Sequence, residues 1–541
     1  IFWEPEIYQD ELKQIFNRCW LFLGHDSQIP EAGDFLRTYM GEDDVIVVRG
    51  EDGEVRAFLN ACSHRGNKVC HAEWGKTKAF TCSYHGWAYD NMGELAAVPL
   101  EEAIYDNLDR SKLGLVPVAR VQNYKGMIFG TFAEEGPDLE EYLGDMKYYL
   151  DVVLDASPEG MELIGTPFRV EIRGNWKLPV ENAIGDGYHV AWAHAGAMRV
   201  VGTIGQGRGE SVLGIGKDNT GFDDSGQMQV AIPPHTVLST LDGQSGYALY
   251  DNPGPCIEYL EQVRPSVVER LGDVRGTQLL GSETHMGVFP NLQIIQGLNL
   301  LRVIHPKGPG SFEVATYSMA DKNTPDEVKD IIVKHVGQTF GSAGILEGDD
   351  GDFTEAITHS PNGYATRQMK GWLGMAQGRT MDWDGPGDAS PGIVNELCQR
   401  EFYTQWQRTM LAESVSDICA ADESLHDPED AVRLSKNQKP FGIFNIKLMK
   451  CGGLYPARKI AHIANENNID LMWGCMDESI VSISAALHIA LSSTKTKYLD
   501  LDGSFDLARD IVSGGFMLKE GKLIPTMEPG LGVNYIDGMK I

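Results

Sequence analysis

The sequence predicts an α+β protein assembled from several folding units, and three features of its 541 residues carry that reading. Residues 33–60 and 118–132 alternate apolar and polar positions in short runs, the period-2 pattern of half-buried antiparallel strands. Helical spacing then takes over in DLEEYLGDMKYYLDVVLD and again in ELCQREFYTQWQRTM. Beyond about residue 412, strands that end in charged residues alternate with helices such as PARKIAHIANEN, which is βα repetition. A chain of this length exceeds one ordinary core and suggests about three or four domains.

Composition narrows the function classes. Hydrophobic residues make up 42% and charged residues 23%, ordinary for a globular protein. Lys and Arg number 46 against 77 Asp and Glu, a formal charge of −31. Such a surface disfavours nucleic acid and anionic membrane and suits a partner with a basic face. Nine Cys are scattered without a paired framework, and neither a signal peptide nor a run of eighteen apolar residues is present. A reducing cytoplasm is the expected setting. The first residue is Ile rather than Met, so the natural chain is expected to begin earlier.

Taken in order, the opening IYQDELKQIFNRCWLFLGH places Ile7, Leu12, Ile15, Phe16 and Trp20 at helical spacing and predicts an amphipathic helix. DVIVVRG and VRAFLN then flank Glu51-Asp52-Gly53, a hairpin turn. Two loops follow, Cys62-Ser-His64 and Cys82-Ser-Tyr-His85, with seventeen residues between them. A structural zinc finger pairs Cys with Cys and His with His in separate loops. A Rieske [2Fe-2S] centre binds one iron through two Cys and the other through two His, so mixed loops suit it. Gly66, Gly86 and Trp87 supply tight, shielding backbone beside them.

A strand is predicted over Phe168–Trp176, followed by Asn182, Asp186, His189 and His194. Helical spacing lets Asn182, Asp186 and the nearby His189 converge. His189 and His194 are five apart and need a helix end to meet at one metal. A carboxylate from elsewhere would complete a 2-His-1-carboxylate triad, and the run from Glu347 to Asp352 is the best source. HMGVFPNLQIIQGLNL alternates in the manner of a strand and is expected to line an apolar pocket.

The segments NACSHRGNKVC and FTCSYHGWAYDNMGEL resemble the Rieske domain of bacterial aromatic-ring-hydroxylating dioxygenases, in their large (α) subunit. DGYHVAWAH is similar to the naphthalene-dioxygenase branch. The resemblance implies an N-terminal helix (1–20) packing on the catalytic domain, a Rieske domain (21–135) and an α+β, helix-grip-like catalytic domain (136–411). It implies Cys62, His64, Cys82 and His85 as cluster ligands, and His189, His194 and Asp350 as ligands of a mononuclear Fe(II), with Asp350 favoured over Asp349. Asp186 would link an iron His to a cluster His of a neighbouring subunit, Asn182 would stand beside it, and Phe340 and Leu346 would shape the pocket. The implied reaction inserts both atoms of O2 into an arene to give a cis-dihydrodiol. The implied partners are a small β subunit in an α₃β₃ assembly, a ferredoxin and an NADH-dependent reductase.

From about residue 412 the text changes character. ADESLHDPEDAVRL, FNIKLMKCGG, WGCMDES and YLDLDGSF resemble the C-terminal half of an enolase-superfamily barrel of the dipeptide-epimerase type. The resemblance implies Asp422 as one Mg²⁺ ligand on the segment Ala421-Asp422-Glu423, Lys447 as acid/base, and Asp500 and Asp502 as substrate contacts. The preceding half-barrel, with its other metal ligands and second Lys, is missing. Residues 412–541 are therefore expected to be an incomplete, inactive barrel segment joined to an oxygenase, as a chimera or a fusion.

Overall fold

The computed structural model describes all residues except 198–225, 370, 413–419, 423–424, 436–440, 506, 508, 520–521, 527 and 537–541. Glu423 lies outside the described residues. The chain divides into two compact units, 1–133 with 139–410, and 134–138 with 411–541.

Pro5 opens the first helix, Pro5–Glu11, where its missing N–H would have no partner in any case. A π-helical turn, Leu12–Phe16, continues it. The predicted helix stops there, and Leu21–His25 is instead a strand antiparallel to Met127–Thr131. All five residues of that strand are buried, and its short apolar run Leu21-Phe22-Leu23 looks alike as helix or strand to a periodicity argument.

The β-rich stretch folds as expected. Asp43–Arg49 and Val55–Leu59 pair antiparallel around a turn whose Gly53 sits at φ 85°, a conformation glycine reaches without a Cβ penalty. With Asp34–Met40 and Trp74–Lys76 they make a four-stranded sheet. Ala79–Thr81, Ala88–Asp90 and Leu95–Ala97 make a three-stranded one. The two Cys-His loops adjoin these sheets, and Cys62, Cys82, Trp87 and Tyr89 share one apolar core with Phe35, Ile46, Val48 and Phe80.

The second part of this unit is an eight-stranded antiparallel sheet whose centre is a meander from Met228 to Asp321. Its edge strand is Met161–Ile172, so the predicted strand over Phe168–Trp176 starts earlier and ends sooner. The cause is local: Asn175 N–H donates to Thr358 Oγ1 at 2.8 Å rather than to a neighbouring strand, and Trp176 caps a helix. That helix, Lys177–Gly185, lies across the middle strands. Glu11 anchors its start: its carboxylate accepts from Lys177 Nζ at 2.5 Å, Trp176 Nε1 at 2.7 Å and Trp406 Nε1 at 2.8 Å. The Glu11–Lys177 pair is fully buried, so losing either partner would strand a charge in the core.

In the second unit Ala420–Ala421, Ile443–Lys447, Asp470–Gly474 and Thr496–Leu499 form a four-stranded, all-parallel sheet in chain order. Helices Leu454–Glu466 and Ile480–Leu491 connect strands through one core containing Phe444, Ile446, Ala457, Ile460, Trp473 and Leu487. Four parallel strands with connecting helices are a partial βα barrel, half the eight a closed barrel takes. Among the described residues no helix is long and apolar enough to cross a membrane.

Candidate metal centres

The first centre is built by the two Cys-His loops. Each loop is followed by a glycine in the left-handed region, Gly66 at φ 72° and Gly86 at φ 73°, which turns the chain sharply behind its histidine. Cys62 and Cys82 are buried, whereas the histidines lie outward, with His85 exposed. The His64 and His85 rings approach to 4.5 Å between centroids, and His64 stacks on Trp87 at 4.9 Å and 9°. His64 Nδ1 is buried and has no hydrogen-bond partner. A buried ring nitrogen left unpaired is costly unless it ligates something, so the site fits a cluster held by two thiolates within and two imidazoles at the surface. Burial opposes ionisation of Cys82, but the Asn67 amide and the backbone of Tyr84 and His85 outweigh it and hold the thiol below its ordinary range.

The second centre forms where the helix Lys177–Gly185 ends. Asp186 leaves helical geometry at φ −88° and ψ 70°, and His189 caps the short helix Val190–Ala193. This break brings the two His Nε2 atoms to 3.2 Å of each other. From the helix Ile345–His359, Asp350 Oδ1 reaches His189 Nε2 at 3.4 Å and His194 Nε2 at 3.2 Å. The three ligand atoms lie within 4.8 Å of one another. Two imidazoles and one carboxylate with open positions are the donor set of mononuclear non-haem iron.

The groups around the triad fix its orientation. The Asp186 carbonyl accepts from His189 Nδ1–H, and the Asp186 carboxylate accepts the His189 backbone N–H at 3.1 Å. Asp349 Oδ2 sits 3.1 Å from His194 Nδ1, on the opposite side of the ring from Asp350. Each Nδ1 thus has an acceptor and each Nε2 points inward, as metal-binding histidines require. The site also attracts positive charge. Burial alone would lower His189, but Asp186 and Asp350 raise it to about 10, and the two histidines hold Asp350 well below the usual carboxylate range despite its burial.

Comparison with known proteins agrees with both centres. Residues 19–124 match the Rieske [2Fe-2S] domain family, and residues 161–412 match the catalytic domain of the ring-hydroxylating alpha subunit. The large oxygenase component of the naphthalene 1,2-dioxygenase system of Pseudomonas aeruginosa is 36% identical over 428 residues, 78% of this chain and 93% of that protein. This chain belongs to the family of Rieske-type ring-hydroxylating dioxygenase large subunits. The alpha subunit of biphenyl 2,3-dioxygenase from Rhodococcus jostii is 37% identical over 76% of this chain and 88% of its own. A crystal structure of a naphthalene 1,2-dioxygenase variant bound to phenanthrene superposes with a TM-score of 0.71 at 33% identity, covering 77% of this chain and 92% of that one.

The dioxygenase subunit carries an extension: residues 402–538 match the enolase C-terminal domain-like family. Its Asp422 is engaged by Lys450 Nζ at 2.7 Å, Lys447 Nζ at 3.2 Å and the Asn445 amide at 3.0 Å. A carboxylate neutralised by two ammonium groups does not fit a Mg²⁺ ligand, and no metal step follows from it. Asp502 Oδ1 lies 3.6 Å from Cys475 Sγ, and Asp500 N–H donates to the Trp473 carbonyl.

Phe340 and Leu346 are buried in the main core of the catalytic part, 8% and 4% exposed. The Arg302 guanidinium lies over the Phe340 ring at 5.1 Å and pairs with buried Glu347 at 2.6 Å. Asn182 Nδ2 stands 3.3 Å from His189 Nε2 and 3.4 Å from Asp350 Oδ1, touching the triad itself. Sequence reasoning missed Tyr89, whose hydroxyl lies 3.2 Å from Cys62 Sγ and accepts the Ser63 N–H at 3.0 Å. Only its place two residues after Trp87 could have pointed to it.

Proposed function

We propose that this subunit converts a polycyclic arene to a cis-dihydrodiol, taking both oxygen atoms from O2. The convergence of His189, His194 and Asp350 on one point, in a chain that also carries a Rieske domain, supports this reading. In it, Cys62, Cys82, His64 and His85 hold the [2Fe-2S] cluster, and the triad holds a mononuclear Fe(II). When bound, the cluster supplies electrons one at a time and the iron activates dioxygen.

The chain's own residues then have distinct tasks. Asp186 and Asp349 keep the two imidazoles in the tautomer that presents Nε2. Asn182 donates its amide into the triad and holds Asp350 in place. The Asp186 carboxylate is 35% exposed, so it can also accept from a cluster histidine of a neighbouring subunit and carry electrons across that boundary. Phe340 and Leu346 give the substrate an apolar wall. The supporting proteins are a small β subunit, in an α₃β₃ assembly, together with a ferredoxin and an NADH-dependent reductase, in the cytoplasm. One relative named as the large oxygenase component of a dioxygenase system and another named as a subunit alpha support the presence of further components and subunits.

Oxidation of naphthalene in ¹⁸O2 by the reconstituted system tests the reading. Two ¹⁸O atoms in one cis-diol product are expected. One labelled atom with the other from water would make the enzyme a monooxygenase, and an unlabelled product would remove the oxygenase role.

A further inference from the structure

We propose that Glu283, held by His285, forms a hydrogen-bond-accepting end of the substrate site, selecting arenes that carry an amino, ring N–H or hydroxyl group. The inference rests on the oxygenase reading above and adds the substrate class. Strand Thr284–Val288 lies beneath the helix Lys177–Gly185, and alternate residues on one face meet that helix. A Cβ on Gly287 would fall 2.5 Å from Ile184 Cγ2, which fixes that face as the one turned to the helix. His285 shares the face, and its Nδ1–H donates to the Ala183 carbonyl at 2.7 Å. Ala183 adjoins Asn182, whose amide touches both His189 and Asp350. The dyad therefore stands one residue along the helix from the triad's own neighbour.

His285 Nε2 lies 3.0 Å from Glu283 Oε1. Both ring nitrogens face oxygen atoms, one of the Ala183 carbonyl and one of the Glu283 carboxylate. His285 is thus spent on Ala183 and on one oxygen of Glu283. The second oxygen of Glu283 has no partner among the described residues, and its side chain keeps 25% of its exposure against 17% for His285. The Glu283 backbone is pinned, its N–H donating to Ser245 Oγ at 3.0 Å and its carbonyl accepting from Thr240 N–H at 3.2 Å. A carboxylate on a pinned backbone, with one oxygen unpartnered among the described residues, accepts a proton donor, repels an arene carboxylate and gains nothing from a plain hydrocarbon.

The experiment compares 1-naphthylamine with naphthalene, by equilibrium binding and by kcat/KM, in the full-length holoenzyme, Glu283→Gln and Glu283→Leu. Wild type should favour the amine by on the order of tenfold to a hundredfold. Glu283→Leu should erase that ratio, and Glu283→Gln, which keeps the shape and an acceptor oxygen, should retain part of it. A ratio is insensitive to the fraction folded. The same ratio in all three proteins would overturn the proposal and leave the oxygenase reading intact. A binding preference lost in Glu283→Leu, in a protein that oxidises neither compound, would sink the oxygenase reading and sustain the acceptor site.

Discussion

At the residue scale, protons and hydrogen bonds around the two centres decide their behaviour. Ser63 N–H occupies a lone pair of the Tyr89 oxygen, so the Tyr89 proton is free for Cys62 Sγ. A hydrogen bond to a ligating sulfur stabilises the extra negative charge of a reduced cluster. Tyr89→Phe should therefore lower the reduction potential by on the order of 40 mV, one bond of about 1 kcal/mol in a one-electron couple. Cyclic voltammetry would show it. Asp186→Asn retains the shape and the backbone carbonyl that accepts from His189 Nδ1–H, but removes the carboxylate charge offered to a neighbouring subunit's cluster histidine. Cluster reduction and iron content should therefore persist while turnover falls by on the order of a hundredfold. Turnover at the wild-type rate would return Asp186 to a purely structural role.

The triad also predicts how the iron-free protein responds to pH. His189 is raised to about 10 by Asp186 and Asp350, so its contribution to stability is complete below its unfolded value near 6.5 and disappears as pH rises through about 10. Asp350 is depressed, so its contribution is present above its usual value near 3.8 and disappears in acid. Iron-free protein should be most stable between those limits, and its urea midpoint should decline from neutral pH to pH 10. In Asp350→Asn that decline should flatten. An unchanged slope would show that the pairing does not contribute.

At the scale of elements, the N-terminal helix and the helix of the triad are joined through one carboxylate. Glu11 takes three donors, from Lys177, Trp176 and Trp406, with no exposure on either member of the ion pair. Glu11→Ala should destabilise the oxygenase unit by about 3–5 kcal/mol, because Lys177 would be left buried and uncompensated. Replacing both Glu11 and Lys177 with apolar residues should recover much of the loss. Denaturant titration of the three variants measures it, and a single-variant loss below that of an exposed pair would show that water reaches the site.

At the scale of the whole molecule, the extension has the strands of a partial barrel and one lysine-bound carboxylate where a metal would sit. Lys447→Ala should leave arene oxidation unchanged, and Mg²⁺ should not protect the wild-type chain against heat. Mg²⁺-dependent epimerisation of a dipeptide, lost in Lys447→Ala, would mean that another chain supplies the missing half. Loss of arene oxidation would make the extension part of the oxygenase.

Periodicity and spacing were enough for the hairpins, the two Cys-His loops, the closing helix and the βα order of the extension, because each depends on residues close in sequence. The mixed Cys-His spacing specified the cluster chemistry for the same reason. The opening segment was not legible past Phe16: Leu21–His25 starts with three apolar residues in a row and shows no alternation, and only its pairing with Met127–Thr131 makes it a strand. The carboxylate of the triad was open to a shift of one in the acidic run, since Asp349 and Asp350 are equivalent as letters. Tertiary packing separates them, because neighbours on a helix point about 100° apart. One therefore faces both Nε2 atoms, and the other meets His194 from behind. Tyr89 and the Glu283–His285 dyad depend likewise on contacts that only the folded chain makes.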